Sequence, residues 1–333
     1  MRAKVTLADI AKECGVGTPT VSRVLNNVTN GFSVKPEIRS KILSTARKLS
    51  YSPNVAAKNL RRQRTDLIII YGYDFEWTAL QGVYPSMLNA ATTRLQRKGF
   101  DVNAAFASEN RRYRIPQMMD GALLLTNIYP ELTTELRDKK IPYVILNDTA
   151  EEYESCVDAN DVQGATLALD YLYRLGHRRI AYWGDNEKLI HNSHKSISLR
   201  YNTYVDFMAA SEQKPFSWNV DERCPETIIR QIVNNKVTAV LTYDIALAVR
   251  LISTARMNGI RVPEDLSVIG FNKPRELIVP TDDIPTCVSI PENDMGQAAA
   301  DILMKQINKP AYHEQKKLDL VLYEGSSTGK INK

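Results

Sequence analysis

Residues 17–25 read Gly-Thr-Pro-Thr-Val-Ser-Arg-Val-Leu, with hydroxyl residues and one arginine set between Val21, Val24 and Leu25. That spacing predicts a short helix with a narrow apolar side, Val21, Val24 and Leu25, and an outward side of Thr18, Pro19, Thr20, Ser22 and Arg23. Its start falls at Gly17, or at Thr18 with Pro19 as the first helical residue, where proline forfeits no hydrogen bond. Immediately upstream, Thr6 and Asp9 have capping-box spacing, and Leu7, Ala8, Ile10, Ala11 and Cys14 supply the buried side of a first helix. Gly15 suits the left-handed turn that ends it. Downstream, Asn26 to Ser33 is a polar loop, and Ile38, Ile42, Ala46 and Leu49 recur at helical spacing behind Pro36. The middle helix of the three is short, follows a tight turn and presents small polar side chains. Helix-turn-helix proteins offer side chains to the DNA major groove in this way.

Charge points to the same partner. Residues 1–65 carry 13 Lys/Arg against 3 Asp/Glu, a balance of +10, while the whole chain of 333 residues carries +5. The remainder is therefore mildly acidic, and only the N-terminal part is suited to a polyanion. On residues 6–25 alone a second reading stays open: a basic three-helix domain whose polar face is simply solvated.

The next segment narrows the choice. Ser50-Tyr51-Ser52-Pro53-Asn54-Val55-Ala56-Ala57-Lys58-Asn59-Leu60 carries a helix start at Ser52-Pro53 and runs into Arg61-Arg62-Gln63-Arg64. A helix of about seven residues is marginal in water and needs outside support to form. With these residues in view, positions 5–65 resemble the DNA-binding head of the lactose-repressor/galactose-repressor family of bacterial transcription regulators. The runs that carry the resemblance are Thr6-Leu7-Ala8-Asp9-Ile10-Ala11, Thr20-Val21-Ser22-Arg23-Val24-Leu25-Asn26 and Tyr51-Ser52-Pro53-Asn54 leading to Leu60. The resemblance implies that Thr18, Pro19 and Arg23 read bases, and that Thr6, Gly17, Thr20, Ser22, Asn26, Tyr51, Asn54, Ala57 and Lys58 complete the DNA-facing set. It also implies a hinge helix that folds in the minor groove, with Leu60 wedged into a central base step. The alternative for Leu60 is ordinary interdomain packing. Gly17 stands where the family usually has a serine cap, and Lys58 where arginine is more usual, so operator sequence does not carry over.

From Asp66 to about Tyr323 short apolar runs alternate with helical patterns. The runs are Leu67–Tyr71, Val102–Ala107, Gly121–Thr126, Tyr143–Asn147, Ile180–Gly184, Val237–Thr242 and Leu266–Phe271. The helical patterns include Met87–Lys98, Val162–Leu175, Arg200–Ser211, Ile245–Asn258 and Asp294–Ile307. Uninterrupted apolar runs suit strands buried on both faces, so the class is α/β with doubly wound parallel sheets. The length exceeds one comfortable core, which predicts two lobes. The resemblance extends here through Asp161-Val162-Gln163-Gly164-Ala165, Leu175-Gly176-His177-Arg178-Arg179-Ile180-Ala181 and Val262–Phe271. It implies a body like the periplasmic binding proteins, 66–330, behind a helix-turn-helix domain, 1–50, and a hinge, 51–65. The implied lobes are 66–159 plus 290–318, and 160–289 plus 319–330. His177-Arg178-Arg179 reads as a solvated helix-to-strand turn, since His177 has no second His or Cys at metal spacing.

In such sheets ligands bind beyond the carboxyl ends of the strands. The expected effector-contacting residues are Phe75, Trp77, Asn127, Asn147, Tyr243, Asp244 and Asn272, with Arg200 at a position where the family uses an arginine to grip ligand. A guanidinium fork beside aromatic faces suits a sugar or a carboxylate; a surface salt bridge is the other reading. The family tends to place Asp where this chain has Asn147 and Asn272, and Asn where it has Tyr243. The segment between Phe100 and Gly121 is also short, which predicts a curtailed helix.

Exclusions complete the reading. There is no C-x-x-C, Walker, G-x-S-x-G or H-E-x-x-H sequence, so no catalytic residue, metal ligand or cofactor is assigned and the chain is not read as an enzyme. The N-terminus has no apolar signal core and no apolar run reaches eighteen residues, predicting a cytoplasmic, nucleoid-associated protein with no membrane partner. The polar tail after Glu324 has no leucine heptads for a tetramer. A homodimer on a palindromic operator in double-stranded DNA is expected, probing its surroundings through a small sugar-like effector. The alternative is a small-molecule receptor or enzyme-like body with only weak, nonspecific DNA attachment.

Overall fold

The computed structural model describes residues 5–27, 32–51, 64–72, 83–106, 112–125, 130–184, 194–218, 225–273 and 283–331. Asn54, Ala57, Lys58, Leu60, Phe75, Trp77 and Asn127 therefore lie outside the described residues. The chain forms two compact units, Met1–Thr65 and Asp66–Lys333.

In the first unit α1 (Leu7–Cys14), α2 (Thr18–Leu25) and α3 (Pro36–Lys48) share one small core of Ile10, Ala11, Cys14, Val21, Val24, Ile42 and Ala46. Thr6 caps α1 reciprocally: its Oγ1 accepts from Asp9 N at 3.3 Å and its amide donates to Asp9 Oδ2 at 2.8 Å. The hydrogen bonds from the Thr6 side chain and backbone hold the Asp9 carboxyl below its ordinary range. Gly15 closes the helix at φ 70°, returning its N–H to Ala11 and Lys12. Of the two starts open to α2, the structure takes Gly17, which is the N-cap, so that Pro19 is the second helical residue. The buried side of α1 is narrower than expected. Leu7 is only half-buried and Ala8 is exposed, since Ile10, Ala11 and Cys14 already fill the core-facing stripe and Ala8 lies two positions round the helix from it. Thr6→Ala removes the cap at a cost of about 1 kcal/mol. Amide exchange within α1 of the full-length protein should accelerate roughly fivefold.

The second unit contains two six-stranded sheets. Sheet one is wholly parallel, in the order β11-β5-β4-β3-β1-β2, from β1 (Leu67–Tyr71), β2 (Asp101–Ala104), β3 (Gly121–Leu125), β4 (Tyr143–Leu146), β5 (Ser155–Ala159) and β11 (Gln315–Leu318). Sheet two runs β12-β10-β9-β8-β6-β7, from β6 (Ile180–Trp183), β7 (Phe216–Trp218), β8 (Ala239–Thr242), β9 (Ser267–Phe271), β10 (Cys287–Ser289) and β12 (Val321–Tyr323). Only β12, paired to β10, is antiparallel. The helices are α4 (Val83–Gln96), α5 (Pro130–Asp138), α6 (Asp161–Arg174), α7 (Ser196–Ala210), α8 (Pro225–Asn234), α9 (Ile245–Met257) and α10 (Glu292–Asn308). The chain passes between the sheets after Ala159, after Ser289 and after Leu318, so three strands of backbone link the lobes.

Continuous burial along Gly121–Leu125, Tyr143–Leu146 and Ile180–Trp183 shows why these runs are uninterrupted and apolar: both faces are covered. Helix α10 packs on α4 so closely that a Cβ at Gly296 would stand 2.1 Å from Met87 O. Only glycine permits that approach. Between β2 and β3, residues 112–120 form no helix, and Ile115 and Met119 instead cover Ile69, Tyr71 and Leu124 directly.

Arg178 and Arg179 of the turn are exposed, as their charges suggest, but His177 is not. His177 is 3 % exposed, with Nδ1 3.0 Å from Thr238 Oγ1 and Nε2 3.0 Å from Gly329 O. The polar C-terminal segment folds across it, Ile331 N donating to Leu175 O at 3.1 Å. Burial lowers the imidazole pKa, so its role is a neutral pin for the tail.

On β5, Asp158 is buried beside Asp161, Lys317 and Asp148, and burial first, then Asp161, raises its pKa from 3.8 to about 6. Its Oδ1 accepts from Ala159 N at 2.8 Å, and its Oδ2 has no partner among the described residues. A raised folded pKa means that the folded state binds the proton more tightly, so the penalty of the buried charge grows as pH climbs from 3.8 to about 6 and is complete above. Asp158→Asn should therefore stabilise the protein at pH 7–8, with the gain vanishing near pH 4, in urea melts across that range.

Candidate functional site

In the first unit the outward side of α2 is assembled as its spacing predicts. Thr18, Pro19 and Arg23 are exposed, and Thr20 and Ser22 are half-buried. The helix opens with a glycine cap and no acidic residue in its first turn, leaving its positive end uncompensated for an anion. Arg23 makes no ion pair among the described residues, and its guanidinium stands 5.0 Å from the centre of the Phe32 ring, which stiffens it. Asn26 is committed locally, donating to Ser22 O at 2.7 Å. Tyr51 packs half-buried against the head core, its amide donating to Ala46 O at 2.9 Å. Lys48 is paired to Glu13 at 3.2 Å.

In the second unit the carboxyl ends of β4, β8 and β9 carry Asn147, Tyr243-Asp244 and Asn272. Asn147 and Asn272 both sit at positive φ, 65° and 68°, which turns their side chains sharply off the strand ends and which asparagine tolerates better than most residues. Asn147 Nδ2 lies 3.2 Å from Tyr84 OH and 3.3 Å from His194 Nε2. Asp244 is a helix cap, its Oδ1 accepting from Leu247 N at 2.8 Å. Asn272 Oδ1 is buried with no hydrogen-bond partner among the described residues, an acceptor in want of a donor.

Arg200 is the electrostatic centre of this site. It is 4 % exposed, donates from Nε to Asp161 Oδ1 at 2.7 Å and from Nη1 to Tyr243 O at 2.8 Å. Its guanidinium lies 3.9 Å from the Phe271 ring centre and 5.1 Å from that of Tyr243. Burial is the largest influence and works against the charge, but Asp161, Tyr243 and Tyr182 together outweigh it and hold the guanidinium pKa above its ordinary value. Two of the three nitrogens are thus engaged within the protein, and Nη2 has no hydrogen bond among the described residues. Sequence reading did not single out Tyr84, His194 or Ser196, and saw Asp161 only as part of a motif. Their partners lie tens of residues away, where no local spacing reveals them. Among the described residues no group of three or more His, Cys, Asp or Glu gathers to hold a metal ion, and no helix is long and apolar enough to cross a membrane. A separate hollow of about 400 Å³ is lined by Arg94 of α4, Lys98 just beyond it, Asp301 and Lys305 of α10, Glu314, and Lys316 of β11.

Residues 6–54 match the model of bacterial regulatory proteins of the lacI family, and residues 169–328 match a periplasmic binding protein-like domain. The transcriptional regulator RegA of Clostridium acetobutylicum is 30 % identical over 91 % of this chain and 93 % of its own. The chain belongs to the lacI family. Within that family, the regulator GalS of Salmonella typhimurium is 27 % identical over 90 % of this chain and 89 % of its own. A lac repressor dimer bound to operator and the anti-inducer ONPF shares the fold at a TM-score of 0.79, with 20 % identity over 98 % of this chain and all of that one. A CelR–cellobiose complex does so at 0.67, with 24 % identity over 97 % of this chain and all of that one. As a lacI-family member with an intact helix-turn-helix, the protein is a DNA-binding transcription regulator.

Proposed function

We propose that this lacI-family protein is a cytoplasmic repressor that binds a two-fold-symmetric operator as a homodimer and releases or grips it in response to a small, hydroxylated, sugar-like effector held between its two lobes. The observation that carries the reading is the network in which Asn147 and Tyr84 of the first lobe are joined through His194 to Ser196, Tyr243 and Arg200 of the second, at the carboxyl ends of the strands. Amides, phenols and one guanidinium nitrogen match ligand hydroxyls or a carboxylate. Asn272 supplies a buried acceptor for a ligand hydroxyl. The cellobiose-bound relative supports this class of ligand. On the DNA side Thr18, Pro19 and Arg23 read base edges, while Thr6, Gly17, Thr20, Ser22 and Asn26 seat the helix on phosphates. Residues 51–65 serve as the hinge. No chemistry on the ligand is proposed.

The test uses full-length protein, first locating its sites by genome-wide occupancy and then titrating a panel of neutral mono- and disaccharides, hexuronates and purines. A panel member should raise the melting temperature and shift operator affinity, and by linkage operator DNA must shift its affinity by the same factor. Panel binding with no change at the operator overturns the effector reading. Equal affinity for symmetric sites and random duplex overturns the operator reading.

A further inference from the structure

The segment that leads into α7 reaches across to the other lobe. Lys195 Nζ donates to Thr149 Oγ1 at 2.6 Å, and His194 Nε2 meets the carbonyl oxygen of Asn147. Thr149 and Asn147 follow β4 of sheet one, whereas α7 belongs with sheet two, packing against α6. These ties are made by the protein's own side chains.

The protonation of the imidazole follows from its neighbours. Ser196 N can only donate, and it points at His194 Nδ1 from 3.2 Å. Nδ1 is therefore the acceptor and the ring proton is on Nε2, donated to Asn147 O, the nearer of its two Asn147 neighbours; Asn147 Nδ2, 3.3 Å from Nε2, gives its hydrogen to Tyr84 OH instead. Ser196 Oγ, 2.7 Å from Nδ1, must then donate to it, and so must accept from Tyr243 OH at 3.0 Å. Burial raises the Tyr243 pKa, which keeps the phenol a donor. Every proton in the chain Tyr243–Ser196–His194–Asn147 thus points one way, toward the first lobe. The chain is rooted at Tyr243, whose carbonyl is held by Arg200 and, through it, by Asp161.

We propose that His194 is a built-in latch: its neutral imidazole, protonated on Nε2, closes the two lobes on each other in the absence of effector. The latch goes beyond the effector reading and does not depend on which ligand binds. It uses Asn147 and Tyr243, so any occupant of the site contends with a polar network that is already satisfied. A regulator built this way rests in a closed conformation, and a ligand acts by adding to or prising apart an existing contact.

The test places a pair of spin labels on the full-length protein through Glu135→Cys on α5 and Lys236→Cys beyond α8, with Cys224→Ser in the same chain, and reads the lobe-to-lobe distance without ligand or DNA. With labelled chains diluted into an excess of unlabelled ones, the parent should show one short distance within the chain. His194→Ala should raise the open-to-closed ratio about fivefold. His194→Gln, whose amide can donate to Asn147 O and accept from Ser196, should restore the short distance. A distribution for His194→Ala equal to the parent's overturns the latch, as does one for His194→Gln equal to the alanine variant's. Should the alanine variant fail to fold, ¹⁵N-histidine spectra of the unmodified chain decide, with His194→Gln for assignment: a proton on Nε2 supports the latch, and a proton on Nδ1 overturns it. Because neither measurement involves effector or operator, their failure leaves the regulatory reading standing.

Discussion

Operator affinity of the full-length protein should fall by roughly 10³-fold or more as salt rises from about 50 to about 200 mM. The reasoning is one of charge placement. Residues 1–65 carry a balance of +10, and the rest of the chain is net acidic within a total of +5. Attraction to a polyanion is therefore confined to the head, and each phosphate neutralised by lysine or arginine releases condensed counterions. A dimer doubles the number of heads and so steepens the slope. Arg23 adds a separate effect: for the base-reading role proposed for it, its loss should reduce discrimination between operator and random duplex by roughly 1–3 kcal/mol, with the salt slope nearly unchanged. Fluorescence anisotropy with operator and scrambled duplexes at several salt concentrations measures both. A flat salt dependence would contradict the assignment of the head to phosphate contact. If Arg23→Ala weakened both duplexes equally, Arg23 would be a phosphate ligand and not a base reader.

What could be read from residue order follows the range of the interaction. The Thr6–Asp9 capping box and the Gly15 turn are contacts across three or four positions, and both appear in the structure as their spacing implies. The seven apolar runs all contribute strands: six are central and buried, where polar residues are disfavoured, whereas Val102–Ala107 yields the largely exposed edge strand β2. Strand β5, Ser-Cys-Val-Asp-Ala, was not legible: it is fully buried but carries Asp158, so its composition hides it. Edge strand β11, Gln-Lys-Lys-Leu, is polar because its side chains are largely exposed. Strands β7, β10 and β12 are only three residues long. Helix α8 was legible in principle from Ile228, Ile229 and Ile232 behind Pro225. The candidate site behaves differently, since Asn147 meets His194 and Arg200 meets Asp161 only after the sheets have formed. Such pairs leave no periodicity. The same distance explains the reversal at His177, whose solvent is displaced by a tail some 150 residues further on.

The largest effect on stability is expected at Asp161. Arg200 and Asp161 are both almost fully buried, their side chains 5 % and 2 % exposed. Asp161→Ala leaves a guanidinium beneath Phe271 and Tyr243 with no counter-charge, which should destabilise the protein by about 3–5 kcal/mol. Adding Arg200→Met removes the orphaned charge and should restore a large part of that loss, because an apolar side chain of similar length suits the aromatic walls. The Arg94–Asp301 pair supplies the contrast. It is as short, at 2.8 Å, but its side chains are 40 % and 39 % exposed, so Asp301→Ala should cost no more than about 1 kcal/mol. Urea unfolding followed by the fluorescence of Trp183 and Trp218, both buried in the second lobe, reports each change. Because Arg200 also holds the Tyr243 carbonyl, Asp161→Ala should disturb the polar chain to Asn147 as well, and the double variant should recover stability without recovering lobe closure. Equal losses at Asp161 and Asp301 would mean that water reaches Arg200, and that the centre of the cleft is wetter than its packing implies.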